Sequence, residues 1–363
     1  MRRELLMYHA SATYQAILNQ LRRYPDMEIQ DLLKFLHQST FGCGHMIESP
    51  AAAANYLRQE MQECPPLLYS PIEELDGDFC RVHVDYLRNL KISPDTFANL
   101  FAVSAALPCG TYADLEEKLD VAEKMAEAGE IPFPACAFSD AINVWRNAGY
   151  PAQHHSERFH QEYFPAYRVL ANQHIAWLPL LAQIDRLLEE KARVIFAIEG
   201  GSAAGKTTVA ALLRKLYDCN VFHMDDFFLR PEQRTEERYA QVGGNVDHER
   251  FREEVLLPLS QRQTVQYRRF DCATFTIAPA EEILPKKLNI IEGAYSMHPE
   301  LAGFYDYSVY MWINSDLQRA RIEKRNTPEM AQCFFDTWIP MEQEYFTKTD
   351  AAVRCDMIWE VWE

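Results

Sequence analysis

A run of small residues followed by a lysine and two threonines is the segment of this sequence best suited to chemistry. It reads Gly200, Gly201, Ser202, Ala203, Ala204, Gly205, Lys206, Thr207 and Thr208, and its first eight residues fit GxxxxGK[ST]. Glycines let backbone N–H groups curl around a phosphate, and a following helix N-terminus adds partial positive charge. We expect Lys206 to reach the β- and γ-phosphates of ATP and Thr207 to ligate Mg²⁺.

The segments on either side of this loop supply the context that the pattern requires. Arg193–Glu199 is a short apolar, β-branched run of the kind buried in parallel sheets. Thr208–Leu216 consists of good helix formers. The order strand, glycine-rich loop, helix therefore predicts a phosphate-binding loop rather than a chance glycine-rich turn.

Two adjacent carboxylates follow the next apolar run, in the segment Phe222-His223-Met224-Asp225-Asp226. Carboxylates at the carboxyl end of a parallel strand point into the crevice where α/β proteins bind ligands. One of them could accept a hydroxyl proton from a substrate, and the other could hold Mg²⁺ through water. A helix cap or turn acid is the alternative interpretation of the pair.

The rest of the second half alternates short apolar runs with helical segments. Further strand candidates are Val221–Met224, Leu288–Ile291 and Tyr307–Ile313. Such alternation predicts an α/β fold with a parallel sheet flanked by helices and right-handed crossovers.

These motifs together resemble the uridine kinase and phosphoribulokinase branch of the P-loop kinases. The resemblance covers residues 191–363, and its pieces are GGSAAGKTT, MDDFF, NVDHERF, RRFDC and IIEGAY, followed by an arginine-rich helix. Their order along the chain is more specific than any one of them.

The resemblance implies roles for individual residues. Asp225 corresponds to the family's general base, and Asp247 to the aspartate that holds the sugar hydroxyls of the acceptor. Arg321 and Arg325 lie four residues apart on the implied lid helix, where they would neutralise charge developing on the transferred phosphoryl group. The other implied site residues are Asp226, His248, Phe270 and Asp271 on the acceptor side and Glu292 beside Mg²⁺, directly or through water.

Two positions depart from the family pattern. A histidine that reads the base usually follows the aromatic-Asp pair, but this chain has Thr274 and Phe275 there. The acceptor is therefore expected to be a hydroxyl compound that need not be a nucleoside. Glu199 precedes the loop where the family often has Asp.

Residues 1–190 predict a separate, mainly helical domain, with the boundary to the kinase domain, residues 191–363, near residue 190. Apolar side chains recur at helical spacing in segments separated by prolines, and Ser93 with Pro94 is typical of a helix start. No strand alternation of useful length appears in this half, and a long amphipathic segment, Tyr167–Lys191, lies at its end. No known family is assigned to it.

Several histidines in the first half could form a metal or substrate site. His45 lies in a glycine-flanked turn, and His83, His154 and His155 follow later in the chain. Histidine is a common metal ligand, although surface and capping histidines are the commoner case. Sequence spacing does not bring these residues together.

Charge, cysteine pattern and apolar content indicate which partners and which location the protein is expected to have. The net charge of −17 disfavours nucleic acid and anionic membranes as partners, and the nine scattered cysteines contain no CxxC pair. The N-terminus has no continuous apolar core of a signal peptide, and no apolar run reaches the roughly 18 residues of a membrane span. We therefore expect a cytoplasmic protein with reduced thiols and a small-molecule partner.

The leading prediction is an ATP- and Mg²⁺-dependent kinase that phosphorylates a hydroxyl of a small, sugar-containing molecule. Two alternatives stay open. The nucleotide domain could act as a sensor that switches the helical half, or the helical half could be a second enzyme fused to the kinase. The oligomeric state and the identity of the acceptor are not encoded in any motif.

Overall fold

The structure is a computed structural model and describes residues 11–42, 49–271 and 273–362. The chain forms two compact units, Met1–Arg186 and Leu187–Glu363. None of the helices in these described ranges is long and apolar enough to cross a membrane.

Unit 1 is mainly helical, as predicted. Its helices are α1 (Ala12–Arg23), α2 (Ile29–Phe41), α3 (Pro50–Glu63), α4 (Val84–Leu90), α5 (Pro94–Ala105), α6 (Tyr112–Glu127), α7 (Ala135–Asn147), α8 (Glu157–Tyr163) and α9 (Asn172–Ile175), and α10 (Leu178–Glu190) follows at its end. The predicted helix start at Ser93 is confirmed, because its side chain accepts a hydrogen bond from the Asp95 N–H and Pro94 occupies the first turn.

Unit 1 also contains three strands, which the sequence does not reveal by alternation. Strands β1 (Ile72–Glu74), β2 (Phe79–His83) and β3 (Tyr167–Ala171) form an antiparallel sheet in the order β1-β2-β3. All five residues of β2 are buried, so the strand lacks the alternation by which half-buried strands are recognised. The segment Tyr167–Lys191 is correspondingly not one amphipathic unit, since it begins with β3 and continues into α9 and α10.

Unit 2 is built on a five-stranded parallel sheet. Its strands are β4 (Val194–Gly200), β5 (Cys219–His223), β10 (Leu288–Glu292), β11 (Tyr307–Trp312) and β12 (Met357–Glu360), in the order β12-β11-β4-β10-β5. β4 lies at the centre and is buried throughout, as a β-branched strand covered on both faces must be. The predicted α/β fold is confirmed.

Helices flank this sheet, and short hairpins extend from it. The helices are α11 (Lys206–Leu216), α12 (Glu236–Tyr239), α13 (His248–Phe251), α14 (Leu257–Ser260), α15 (Ser315–Arg325), α16 (Pro328–Cys333), α17 (Ile339–Thr349) and α18 (Ala351–Arg354). The hairpins pair β6 (Val265–Tyr267) with β9 (Glu281–Ile283) and β7 (Phe270–Asp271) with β8 (Thr276–Ile277). A buried aromatic and aliphatic cluster, which includes Phe222, Phe227 and Tyr345, fills the core.

Candidate functional site: a phosphate loop and an acidic sheet edge

The predicted phosphate loop connects the central strand β4 to helix α11. Gly200 has φ +148°, and a Cβ at this position would lie 2.5 Å from the carbonyl oxygen of Met311 on β11. Gly205 caps α11 in the left-handed region, with φ +92°, where a side chain would be strained. Both fixed glycines of the pattern are therefore required by backbone geometry.

Three side chains hold the loop at Ser202 and Ala203. Glu342 accepts from the Ser202 N–H at 2.9 Å and from Ser202 Oγ at 2.6 Å. Gln318 Nε2 donates to the Ser202 carbonyl at 2.8 Å, and Arg321 Nη1 donates to the Ala203 carbonyl at 3.3 Å. Ala203 has φ +62°, a conformation that costs an alanine about 1 kcal/mol.

Lys206 and Thr207 occupy the first turn of α11, and Thr208 follows them. Lys206 Nζ donates to the Gly201 carbonyl at 3.0 Å, which folds the lysine back over its own loop. Thr207 Oγ1 donates to Glu292 Oε1 at 3.1 Å. Thr207 thus lies beside the carboxyl end of β10, whereas Lys206 lies over the phosphate loop.

An acidic edge is formed where β5 and β10 end side by side. The register pairs Glu292 with His223, and His223 Nδ1 is hydrogen-bonded to Glu292 Oε1. This hydrogen bond raises the pKa of His223 above its ordinary value. The prediction overlooked His223. Its place at the end of a strand is a signal in the sequence, but its pairing with Glu292 depends on the order of the strands.

Asp225 follows β5 in a short 3₁₀ turn, Met224–Phe227. Its side chain reaches solvent, yet the surrounding protein removes enough water from the carboxyl to raise the pKa of Asp225. Glu292 and Asp226 add to this rise, whereas Lys206 and His223 oppose it. The pKa of Asp225 therefore depends both on the lysine of the phosphate loop and on the charged groups at the ends of β5 and β10.

Asp226 differs from its neighbour because the fold already holds it. Tyr267 donates its hydroxyl proton to Asp226 Oδ2 at 2.6 Å, and Arg269 Nε lies 3.7 Å from the same oxygen. The two consecutive carboxylates are thus distinguished, because Asp226 is hydrogen-bonded to β6 whereas Asp225 is exposed.

Asp247 is buried and leaves one oxygen unsatisfied. Its Oδ1 caps α13 by accepting from the Arg250 N–H at 3.2 Å. Asp247 Oδ2 has no hydrogen-bond partner in the described part of the chain, and Arg250 Nε and Arg230 Nε lie 3.5 and 4.0 Å away. Arg250 Nε likewise lacks a hydrogen-bond partner within the described residues, so Asp247 Oδ2 and Arg250 Nε form a long, buried ion pair rather than a hydrogen bond.

The other predicted acceptor residues have local partners. His248 stacks on His298 at 3.8 Å between ring centroids, and burial lowers its pKa. Asp271 accepts from the Ala273 N–H at 2.8 Å, which closes its own turn and lowers its pKa. Phe270 is buried, with the Arg234 guanidinium 5.7 Å from its ring centroid.

The side chains of the two predicted lid arginines on α15 make different contacts. Arg321 reaches the phosphate loop at the Ala203 carbonyl and also donates to the Trp362 carbonyl at 3.2 Å. The Arg325 guanidinium instead lies 5.3 Å from the centre of the Phe334 ring. Arg321 is the one whose contacts include the loop.

Glu199, which precedes the phosphate loop where the family often has Asp, is hydrogen-bonded to three segments of the chain. It is fully buried and accepts from the N–H groups of Gly200, Tyr295 and Met297 and from the hydroxyl of Tyr345. Burial raises the pKa of Glu199 to about 7, against the effect of these donors and of Lys206. The longer glutamate side chain thereby joins β4, the segment after β10 and α17.

The site could hold Mg²⁺ through hard oxygen atoms. The Thr207 hydroxyl and the Glu292 carboxylate are already within hydrogen-bond distance of each other, and oxygen donors are what Mg²⁺ prefers. In the described ranges no three His, Cys, Asp or Glu side chains form a metal-binding group. Phosphate oxygens and water would therefore supply most of the ligands.

The histidines of unit 1 do not form the predicted metal site within the described residues. His155 is bonded through Nδ1 to Asp31 at 2.8 Å and through Nε2 to the Tyr167 hydroxyl at 2.6 Å. His83 lies 3.5 Å from Glu73, whereas His154 interacts through its carbonyl, which accepts from Gln30. His45 lies outside the described residues.

Part of unit 2 matches a known protein family. Residues 195–329 match the Phosphoribulokinase / Uridine kinase family. This match confirms the resemblance that the motifs predict, and it lies entirely within the C-terminal half. No curated protein matches the chain.

Solved structures similar to the chain also align with about half of it. A possible uridine kinase from Bacillus stearothermophilus is 22% identical over 50% of this chain and 98% of its own, with a TM-score of 0.37. A protein proposed to be a fructose transport system kinase from Silicibacter sp. TM1040 is 22% identical over 49% and 97%, with a TM-score of 0.39.

Proposed function

We propose that unit 2 is an ATP- and Mg²⁺-dependent kinase that phosphorylates a hydroxyl group of a small, sugar-containing molecule. The observation that carries this proposal is the convergence of Asp225, Lys206 and the Thr207–Glu292 pair at one edge of the sheet. A phosphate-binding loop alone serves any nucleotide-binding protein, whereas a carboxylate placed beside it serves phosphoryl transfer.

In this proposal the loop amides and Lys206 hold the phosphates of ATP, and Thr207 with Glu292 holds Mg²⁺. When bound there, Mg²⁺ would supply positive charge beside the phosphates. Lys206 would leave the Gly201 carbonyl to reach the phosphates, a movement that its flexible side chain permits.

Asp225 orients the acceptor hydroxyl and takes its proton. The hydroxyl oxygen forms the new bond to the γ-phosphorus as the bond from that phosphorus to ADP breaks, and ADP leaves with the electron pair. The raised pKa of Asp225 makes its carboxylate a stronger base than a free aspartate.

Asp247 positions the acceptor. Its Oδ2 makes long ion pairs with Arg250 and Arg230 in this structure and would have to become accessible to accept a hydrogen bond from a hydroxyl other than the one that reacts. With Thr274 and Phe275 in place of a base-reading histidine, the proposal extends to hydroxyl compounds outside the nucleosides.

The decisive test is a screen for thermal stabilisation and ATP consumption across nucleosides, sugars, vitamins and amino alcohols. Ligands that bind the native state raise its melting temperature by mass action. With an active acceptor, Asp225→Asn should lower kcat about 10²- to 10⁴-fold and leave the Kd for ATP nearly unchanged. Asp218→Asn, at an exposed position, is the matched control and should keep wild-type turnover.

Two outcomes would contradict the proposal. Unchanged turnover in Asp225→Asn would remove this residue from the mechanism. If the protein binds ATP but consumes none of it with every acceptor class in the screen, the alternative in which the nucleotide domain is a sensor would be favoured.

A further inference from the structure

A buried glutamate on the C-terminal helix α17 is bonded directly to the phosphate loop. Glu342 is 5% exposed, and both of its carboxylate oxygens accept hydrogen bonds from Ser202. Two residues further along the helix, Glu344 pairs with Lys348 at the surface. Burial raises the pKa of Glu342, although Lys206 and the two bonds from Ser202 oppose that rise.

The loop segment that Glu342 holds contains the strained residue Ala203. An alanine in the left-handed region persists only where its surroundings over-determine the backbone. Glu342 fixes the N–H side of Ser202, Gln318 fixes its carbonyl, and Arg321 fixes the carbonyl of Ala203. These three side chains, from α15 and α17, account for the strained conformation.

Helix α17 is itself attached to the strand that precedes the loop. Tyr345 lies one turn after Glu342 and donates its hydroxyl proton to Glu199 at 3.1 Å. Glu199 in turn accepts from the Gly200 N–H at 2.8 Å. The helix thus contacts the chain on both sides of Gly200 and Gly201, which makes Glu342 part of a rigid frame.

We propose that Glu342 is a positioning residue of the phosphate loop: it fixes the Ser202 peptide so that the strained Ala203 turn presents the following N–H groups to the phosphates of a nucleoside triphosphate. This inference rests on the proposed nucleotide binding of the same loop. Glu342 itself does not touch the reacting atoms.

Two substitutions of Glu342 are expected to differ in their effect on ATP binding. In Glu342→Gln the amide oxygen accepts from the Ser202 N–H and the amide nitrogen donates to Ser202 Oγ, so both contacts persist. Glu342→Ala loses both of them. We expect E342A to raise the Kd and KM for ATP about tenfold, as for the loss of a charged hydrogen bond, and E342Q to stay within about twofold of wild type.

A second substitution tests the link to the backbone. Glycine adopts the left-handed region without strain, so Ala203→Gly should make the loop less dependent on Glu342. In the double variant A203G/E342A the loss of ATP affinity should therefore be smaller than in E342A alone. Such a coupling between two changes is what a double-mutant cycle measures.

The experiment is calorimetric titration of the full chain with ATP and Mg²⁺, followed by steady-state kinetics with an active acceptor. Glu344→Ala on the same helix is the control and should bind ATP like wild type. Support requires a raised Kd in E342A, a near-normal E342Q, partial recovery in A203G/E342A and a KM for ATP that changes more than kcat.

The inference is overturned if E342A binds ATP as well as wild type, since the contact would then be purely structural. Tighter binding in E342A would overturn it too, because Glu342 would then compete with phosphate. If E342A does not fold, Ser202→Ala replaces it and should weaken ATP binding severalfold; an unchanged Kd would overturn the inference. A wild-type protein that fails to bind ATP would refute the proposed function instead.

Discussion

His223 and Glu292 end neighbouring parallel strands at the same level of the sheet, and His223 Nδ1 is hydrogen-bonded to Glu292 Oε1. The same oxygen accepts from the Thr207 hydroxyl at 3.1 Å. Glu292 is therefore oriented from two sides, by the phosphate loop and by β5. A carboxylate held in this way can receive a cation without first losing rotational freedom.

Removing the imidazole should impair this arrangement. In His223→Ala, Glu292 keeps its hydrogen bond from Thr207 but loses the one to His223. We expect the Mg²⁺ concentration needed for half-maximal activity to rise about tenfold, as is typical when a residue that orients a metal ligand is removed. His223→Asn places an amide N–H near the position of Nδ1 and should show a milder change. Kinase assays at varied Mg²⁺ and saturating ATP measure both.

An unchanged Mg²⁺ requirement in His223→Ala would show that Thr207 alone orients Glu292. A loss of activity that extra Mg²⁺ does not reverse would place His223 in the acceptor pocket instead.

The phosphate loop could be predicted from the sequence because its determinants are consecutive. Gly200 and Gly205 are required by backbone geometry, and Lys206 and Thr207 follow directly. His223 and Glu342 could not be predicted in the same way. Their partners lie 69 and 140 residues away along the chain, and only the order of strands and the packing of α17 bring them together.

Unit 1 was predicted less completely for a related reason. The helical periodicity is local and was recognised, but β2 is buried at all five positions and carries Arg81 and His83 among apolar residues. Arg81 is fully buried and pairs with Glu73 at 2.8 Å, and Gln38 accepts from it at 2.7 Å. Such a strand has no amphipathic pattern, so only its pairing with β1 and β3 identifies it.

The two lid arginines can be distinguished by activity. Arg321 contacts the loop, so Arg321→Ala should lower kcat/KM for ATP by 10² or more, on the order expected for loss of a transition-state donor. Arg325 packs on Phe334, and Arg325→Ala should cost less than about tenfold if the helix keeps this position during turnover. Steady-state kinetics of both variants with an active acceptor provide the measurement.

Arg319 offers a matched control on the same helix. It lies over the Phe335 ring and pairs with Glu323 at the surface, so Arg319→Ala should leave kcat/KM within about twofold. Equal losses in the Arg321 and Arg325 variants would contradict the assignment and indicate a lid that moves before transfer.

In unit 1, His155 is buried in its neutral form between Asp31 and Tyr167 and stacks on Phe159 at 4.0 Å between ring centroids. Burial lowers the pKa of His155 to about 4, and Arg81 and Lys34 contribute to the lowering, whereas Asp31 opposes it. An unfolded histidine has a pKa of about 6.5. The unfolded chain therefore binds a proton at a pH where the folded chain does not.

The sign of the resulting pH dependence follows from this difference. The contribution of His155 to stability is complete above about pH 6.5 and is lost as the pH falls toward 4, by at most about 3 kcal/mol. His155→Phe keeps the stacking on Phe159 but removes the titration, so the variant should lose less stability over this range than wild type.

Urea unfolding from pH 4 to 7, with pulse-labelled hydrogen exchange of α2 and α8 as the probe, measures the difference. His154→Gln, at an exposed neighbouring position, should follow the wild-type curve, and parallel curves for wild type and His155→Phe would show that His155 does not titrate in this window.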